Sequence, residues 1–166
     1  MPLILGKKPM ANELLIDLNS IDLSAVALDQ ATVDKLLPQT GPMRQLDHVI
    51  WHDEQFSCGV AVKHIRHDEF WVPYHIPGRP LMPGVLMIEA AAQLCSILQT
   101  LAIPNVGFLG FTRCDETSFR GQVVPGDNFY TVCKLIERNR RRFVCQVQGV
   151  VNSKLVFESN ITGMKL

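Results

Sequence analysis

The sequence has no charge of either sign to spare: sixteen Lys and Arg stand against sixteen Asp and Glu. General nucleic-acid binders carry a basic excess, so that class of partner is disfavoured. No C-x-x-C pair occurs. The five cysteines (Cys58, Cys95, Cys114, Cys133 and Cys145) are odd in number and scattered along the chain. That pattern argues against a disulfide framework and a zinc site, and it predicts no metal and a reduced, cytoplasmic setting. The opening residues, Met1-Pro2-Leu3-Ile4-Leu5-Gly6-Lys7-Lys8, lack a basic stretch followed by a long apolar one, so no secretory signal is expected. No long apolar run passes uninterrupted either. Val85 to Ile103 carries Glu89, Gln93 and Gln99 between Pro83 and Pro104. Polar groups at that density are costly in a bilayer, which predicts a buried helix and no membrane insertion. Internal repeats and low-complexity segments are absent. What remains is a chain of 166 residues, 47% hydrophobic and 19% charged, suited to one folded core.

Residues 1 to about 30 are weakly patterned and read as an N-terminal extension or edge element, leaving 31–166 as one domain. Asp29 or Thr32 is placed to cap a short helix that Pro38 stops after Leu37. Leu46 to Ile50 and Phe56 to Ile65 alternate loosely and predict two strands turned at Asp53-Glu54. Four prolines and Gly78 make His67 to Pro83 a loop. From Gly84 to about Leu101, Met87, Ala91, Leu94, Leu98 and Leu101 mark one helical face, and Ile88, Ala92 and Cys95 make the adjacent face apolar. Such a helix is buried. After Val106 the period shifts towards two. Phe129 to Glu137, Arg142 to Val151 and Lys154 to Thr162 then predict antiparallel strands turned at Asn139-Arg140 and Asn152-Ser153. The fold class expected is α+β, an antiparallel sheet wrapped around one long helix at about residues 84–101.

Chemistry concentrates between His75 and Gln93. Prolines stiffen the loop around His75, whose imidazole titrates near neutrality when unperturbed. Pro83-Gly84 opens the helix, where unpaired backbone N–H groups and the dipole favour a developing oxyanion. Glu89 falls in the second turn among Val85, Ile88, Ala90 and Ala92. Burial there is expected to raise its pKa and suit it as a general acid, with Gln93 at i+4 on the same face. Base, acid and helix terminus together fit proton abstraction α to a carbonyl followed by loss of a β-hydroxyl. A structural loop histidine, a merely paired glutamate and ordinary Pro-Gly punctuation are the alternatives on these residues alone.

The run His75-Ile76-Pro77-Gly78-Arg79-Pro80-Leu81-Met82-Pro83-Gly84-Val85-Leu86, continued through Glu89-Ala90 and Gln93, resembles the signature of the β-hydroxyacyl-acyl-carrier-protein dehydratases. These FabZ/FabA-like enzymes of fatty acid biosynthesis have the hotdog fold. Only Ile76, in place of the usual Phe, departs from the pattern. Asp68-Glu69-Phe70, Phe108-Leu109-Gly110, Phe119-Arg120, Val123 to Asp127, Leu36-Leu37-Pro38, Pro42 and Asp47 extend the resemblance over about residues 31 to 166. It implies a single hotdog domain that dehydrates (3R)-hydroxyacyl-[acyl-carrier-protein] to the trans-2-enoyl product. His75 and Glu89 would be catalytic. Gly84 and Val85 would bind substrate at the helix start, and Gln93 would support the acid. The phosphopantetheine arm arrives with the substrate, so no cofactor is implied. The partners implied are acyl carrier protein and a second copy of the chain, in a homodimer with shared sites that extends to a trimer of dimers.

Some positions depart from that signature. Trp71-Val72-Pro73-Tyr74 precedes the histidine where Gln-Gly is usual, and Gln39-Thr40-Gly41 stands where His-Arg-Tyr is common. Arg44 and Gln45 replace apolar residues, and His48 replaces an arginine. A hotdog acyl thioesterase and a non-catalytic acyl-binding hotdog subunit are the competing readings. His64 and His67 lack a third ligand at suitable spacing and are expected at the surface. Arg138, Arg140, Arg141 and Arg142 read as a solvated turn, with carrier docking as the alternative. Cys95 and Cys145 fall in apolar periodicity and read as small core hydrophobes.

Overall fold

The computed structural model describes residues 13–166, so the reading of the first twelve residues lies outside the described part. Asp29 accepts a 2.9 Å hydrogen bond from the Thr32 N–H and starts helix α1, Gln30–Leu36. Leu37, ahead of Pro38, ends it. Strands β1 (His48–His52) and β2 (Cys58–His64) follow. The Asp53 carboxylate accepts from the Ser57 and Cys58 N–H groups and fixes the turn between them. The long helix α2 spans Gly84–Ala102, and β3 (Leu109–Phe119), β4 (Asn128–Arg138), β5 (Arg142–Val151) and β6 (Lys154–Lys165) complete the chain.

The six strands form one antiparallel sheet in the order β1-β2-β4-β5-β6-β3. Asn152 and Ser153 both adopt positive φ, 49° and 61°, in the two-residue turn between β5 and β6. That is the twist-matched hairpin geometry. Helix α2 packs on the inner face, where Ala90, Ala91, Leu94 and Leu98 meet Ala61, Phe129, Cys133, Val147, Phe157 and Ile161. The expected helix and the architecture are both present.

The outer face is also apolar. Ile50, Val60, Val62, Val132 and Val150 are covered by Leu14, Leu15, Ile16, Leu18 and Ile21. Buried Gln148 accepts from the Leu15 N–H and donates to the Glu13 carbonyl, so the covering segment is pinned as well as packed. Coverage on both faces buries five successive residues of β2, which blurs its two-residue period. At one edge, Leu28 bridges Val49 of β1. At the other, β3 presents Phe111 and Phe119 to solvent.

Candidate active site

The His75 loop is anchored before and behind. Trp71 is buried, and its carbonyl accepts from the N–H groups of Tyr74 and His75. Leu81 N–H donates to the His75 carbonyl, and Met82 N–H donates to the Val123 carbonyl at 2.8 Å. The imidazole is exposed, with Nδ1 2.9 Å from the Leu81 carbonyl oxygen. A carbonyl only accepts, so Nδ1 carries the proton. In the neutral ring that tautomer puts the lone pair on Nε2, the form a general base requires.

Gly84 begins α2 after Pro83, which supplies no side-chain cap. Leu86 N–H turns back to the Pro83 carbonyl, and no acceptor among the described residues takes the Gly84 or Val85 N–H. Those two amides point out of a helix start suited to negative charge. Gly84 is needed here for space: a Cβ would lie 2.7 Å from the Phe119 ring, which stacks on Phe157. Val85, beside the glycine, is 69% exposed.

Glu89 corrects one expectation. It is half-buried, because Val85 points to solvent and does not enclose it. An amide clamp holds the carboxylate instead of an apolar seal. Gln93 Nε2 donates to Glu89 Oε1 at 2.8 Å and to the Met43 carbonyl at 2.7 Å, while Gln93 Oε1 accepts the Gln45 N–H at 2.8 Å. Gln93 itself is only 1% exposed. Both amide hydrogens and one lone pair of Oε1 are used, so its orientation is fixed and with it one oxygen of Glu89. The backbone of residues 43–45 is the part of this arrangement that sequence reasoning missed. Carbonyl and amide groups leave no residue-type signal.

Glu89 opens into a cavity of about 40 Å³ shared with Gln39, Ala92, Ser96, Phe111 and Phe143. The volume suits a few water-sized groups. A larger groove of about 310 Å³ lies on the outer sheet face among Arg120, Gln146, Gln148 and Asn160. It contains neither His75 nor Glu89, and in its wall Arg120 pairs with Glu158.

Behind the site, Asp47 is buried at the start of β1. It accepts the His64 N–H at 2.7 Å and pairs with Arg66 at 3.2 Å and Arg44 at 3.5 Å. Burial pushes its pKa up, but the His64 N–H and the Arg66 and Lys63 charges outweigh it and hold the carboxyl below its ordinary value. Buried Lys63 pairs with Glu69 at 3.2 Å, tying the segment before His75 to β2.

The arginine hairpin differs from its reading as one cluster. Arg138 is half-buried, donating to Gln99 Oε1 at 2.8 Å and to the Gln55 and Phe56 carbonyls. Arg142 pairs with Glu137 at 2.9 Å. Of the four, only Arg140 and Arg141 are exposed with no side-chain partner among the described residues. His64 and His67 are exposed as expected, His64 against Asn128. The cysteines are less scattered than their spacing suggests. Cys95 and Cys145 are core residues as read, Cys133 is buried with them, and the three sulfurs all lie within 4.8 Å of one another. The neighbouring Cys133 and Cys95 thiols and the charge of Arg138 push the Cys145 pKa down to about 5 against the effect of burial.

The family described as FabA-like domain matches residues 37–160. A 3-hydroxyacyl-[acyl-carrier-protein] dehydratase FabZ from Lawsonia intracellularis (strain PHE/MN1-00) is 35% identical, the match spanning 77% of this chain and 86% of that protein. Among solved structures, the dehydratase heterocomplex ApeI:P from Xenorhabdus doucetiae superposes with a TM-score of 0.67 at 14% identity, over 81% of this chain and 90% of that one. A thioesterase from Pseudomonas aeruginosa superposes with a TM-score of 0.64 at 12% identity, over 86% and 97%. At those identities the two structures establish the shared fold, and the chemistry rests on the residues.

Proposed function

The chain belongs to the FabA-like domain family, and on that premise we propose that it dehydrates (3R)-hydroxyacyl-[acyl-carrier-protein] to the trans-2-enoyl thioester in fatty acid biosynthesis. His75 Nε2 takes the C2 proton. The electron pair left on C2 is delocalised onto the thioester oxygen, which the Gly84 and Val85 amides at the start of α2 stabilise. The pair then forms the C2–C3 double bond as the C3–O bond breaks, and Glu89 protonates the departing hydroxyl, which leaves as water. Gln93 holds Glu89 in place. The elimination is redox-neutral, so the chemistry calls for no redox cofactor, and the phosphopantetheine arm enters as part of the substrate.

The observation that carries this reading is the Glu89 carboxylate, clamped by Gln93 five residues beyond an uncapped helix start. A histidine with its Nδ1 proton committed to Leu81 supplies the base. The homodimer with shared sites is part of the proposal. Tyr74 and Ile76 flank His75 at 79% and 50% exposure, Val85 is exposed beside Gly84, and Phe111 and Phe119 are exposed on the open edge of β3. Exposed apolar groups of this number support burial against a second copy, and a two-fold pairing would present them to their own kind. The described helix long and apolar enough to cross a membrane is α2, and it packs against the sheet. That supports a cytoplasmic enzyme using a soluble acyl carrier protein.

Incubation of the purified protein with (3R)-hydroxyacyl-carrier protein, read simultaneously for enoyl absorbance and free thiol, tests the assignment. Enoyl formation without thiol release is expected. Thiol release would make the protein a thioesterase, and neither signal would make it an acyl-binding subunit.

A further inference from the structure

The three sulfurs gathered behind the active-site helix come from three different elements: Cys95 from α2, Cys133 from β4 and Cys145 from β5. All three residues are at least 97% buried, at 1%, 0% and 3% exposure. Cys95 Sγ and Cys133 Sγ are 3.5 Å apart, and no pair in the cluster exceeds 4.8 Å. An ion bound by three sulfurs in a trigonal plane, at the roughly 2.3 Å typical of metal–thiolate bonds, requires sulfur–sulfur edges of about 4 Å. One edge is 3.5 Å and none exceeds 4.8 Å, so binding requires sulfur movements of less than about 1 Å. We propose that Cys95, Cys133 and Cys145 form a three-sulfur site for a soft monovalent metal ion, copper(I), in the core beside the catalytic helix.

Ligand type and number select the ion. Thiolates favour copper(I) and zinc, but zinc sites of this kind are tetrahedral and closed by a fourth ligand. The metal-ligating cluster holds three groups, with no carboxylate or imidazole among them. Each copper–thiolate bond replaces an S–H proton, which leaves to solvent. Three thiolates around copper(I) release three protons and leave two net negative charges, of which the Arg138 guanidinium, whose charge acts on Cys145, offsets one. Once bound, the ion cross-links α2 to the sheet six residues beyond Glu89.

The test uses reduced full-length protein, kept anaerobic and titrated with copper(I) buffered by bicinchoninate. One equivalent per chain should be withdrawn from the chelator, equally by wild type and by Cys114→Ser, which removes the exposed thiol. Cys133→Ala and Cys145→Ala should each weaken binding by about 100-fold or more. Wild type should also melt at higher temperature with copper(I) than without, since binding to the folded state alone stabilises it. Should the alanine variants fail to fold, X-ray absorption of copper-loaded wild type decides: three sulfurs at one shell near 2.3 Å are expected. No withdrawal of copper, wild-type affinity in both alanine variants, or a shell with nitrogen, oxygen or only two sulfurs would overturn the site.

Discussion

Replacing Gln93 with leucine removes every polar bond of the clamp while nearly conserving side-chain volume. Three hydrogen bonds disappear, of 2.8, 2.7 and 2.8 Å, and their partners fare differently. Met43 is 47% exposed, so its carbonyl can turn to water at little cost. Gln45 is 0% exposed, and its N–H is left without an acceptor. A buried orphan donor costs about 1–3 kcal/mol, and we expect a loss of about 2 kcal/mol in unfolding free energy. Urea unfolding at fixed protein concentration should show a lower midpoint with an unchanged slope. Glu89 loses its donor at the same time. A reacting group freed to move by about 1 Å can cost on the order of 100-fold, and the loss should fall on kcat with KM little altered. Gln93→Glu provides the internal control. It keeps the shape but places a second carboxyl beside Glu89, so one of the pair holds its proton longer and the pH–rate profile moves to higher pH. A leucine variant that unfolds within about 0.5 kcal/mol of wild type and turns over at the wild-type rate would refute the clamp.

His75→Ala and Glu89→Ala should each lower turnover by about 10²- to 10⁴-fold while melting like wild type. Mixing the two inactive proteins under conditions of proven subunit exchange should restore activity, because one site of each heterodimer keeps both groups; no rescue would mean that each chain builds its own site. Asp47, whose folded pKa lies below its ordinary value near 4, stabilises the fold above that value, and its contribution is lost as acid carries the pH down through the lowered one. Asp47→Asn should therefore flatten the acid limb of stability below about pH 4, measured by thermal melting as the pH is lowered; an unchanged limb would remove Asp47 from the acid response. Neutralising Arg140 and Arg141 should change kcat/KM for carrier-linked substrate by less than about twofold, since two solvated charges steer weakly. A larger, salt-sensitive loss absent with a pantetheine thioester would make the hairpin a docking surface. Gly149→Ala puts a methyl 2.5 Å from the buried Phe129 ring and should cost about 1–3 kcal/mol by denaturant unfolding, and a neutral result would show that the ring can yield.

Helix α2 was legible because its apolar positions repeat over five turns and Pro83-Gly84 marks its start. The hairpin strands β4 to β6 were legible from alternation and from Asn152-Ser153. Strand β3 carried no comparable signal: Thr112, Arg113, Asp115 and Glu116 sit on an edge, exposed or half-exposed, and a bulge between Asp115 and Ser118 breaks the period. The covering of the outer face by residues 14–21 was illegible for another reason. Leu14, Leu15, Ile16 and Ile21 have no regular spacing, and their partners are valines that already read as strand core. At the site, the chemical side chains stood out as residue types. Their supports did not, because Leu81, Met43 and Gln45 act through backbone atoms. The enclosure of Glu89 was misjudged from its neighbours on the helix, since helical proximity to Val85 does not say which way solvent lies. Cysteine spacing failed similarly. A cluster assembled from α2, β4 and β5 has no local pattern to detect.

A clamp made from main-chain groups constrains the path of the chain more than its lettering. Met43 contributes a carbonyl and Gln45 an amide hydrogen to Gln93, and any residue except proline at position 45 carries the same two groups. The Met43-Arg44-Gln45 segment can therefore drift in composition without loosening the acid. Arg44 has used that freedom to reach Asp34 and Asp47, and the Gln45 side chain to reach the Pro42 carbonyl. Proline at 45 is the change that the arrangement forbids. The segment is thus a place where ordinary substitutions leave the hold on the Glu89 carboxylate untouched.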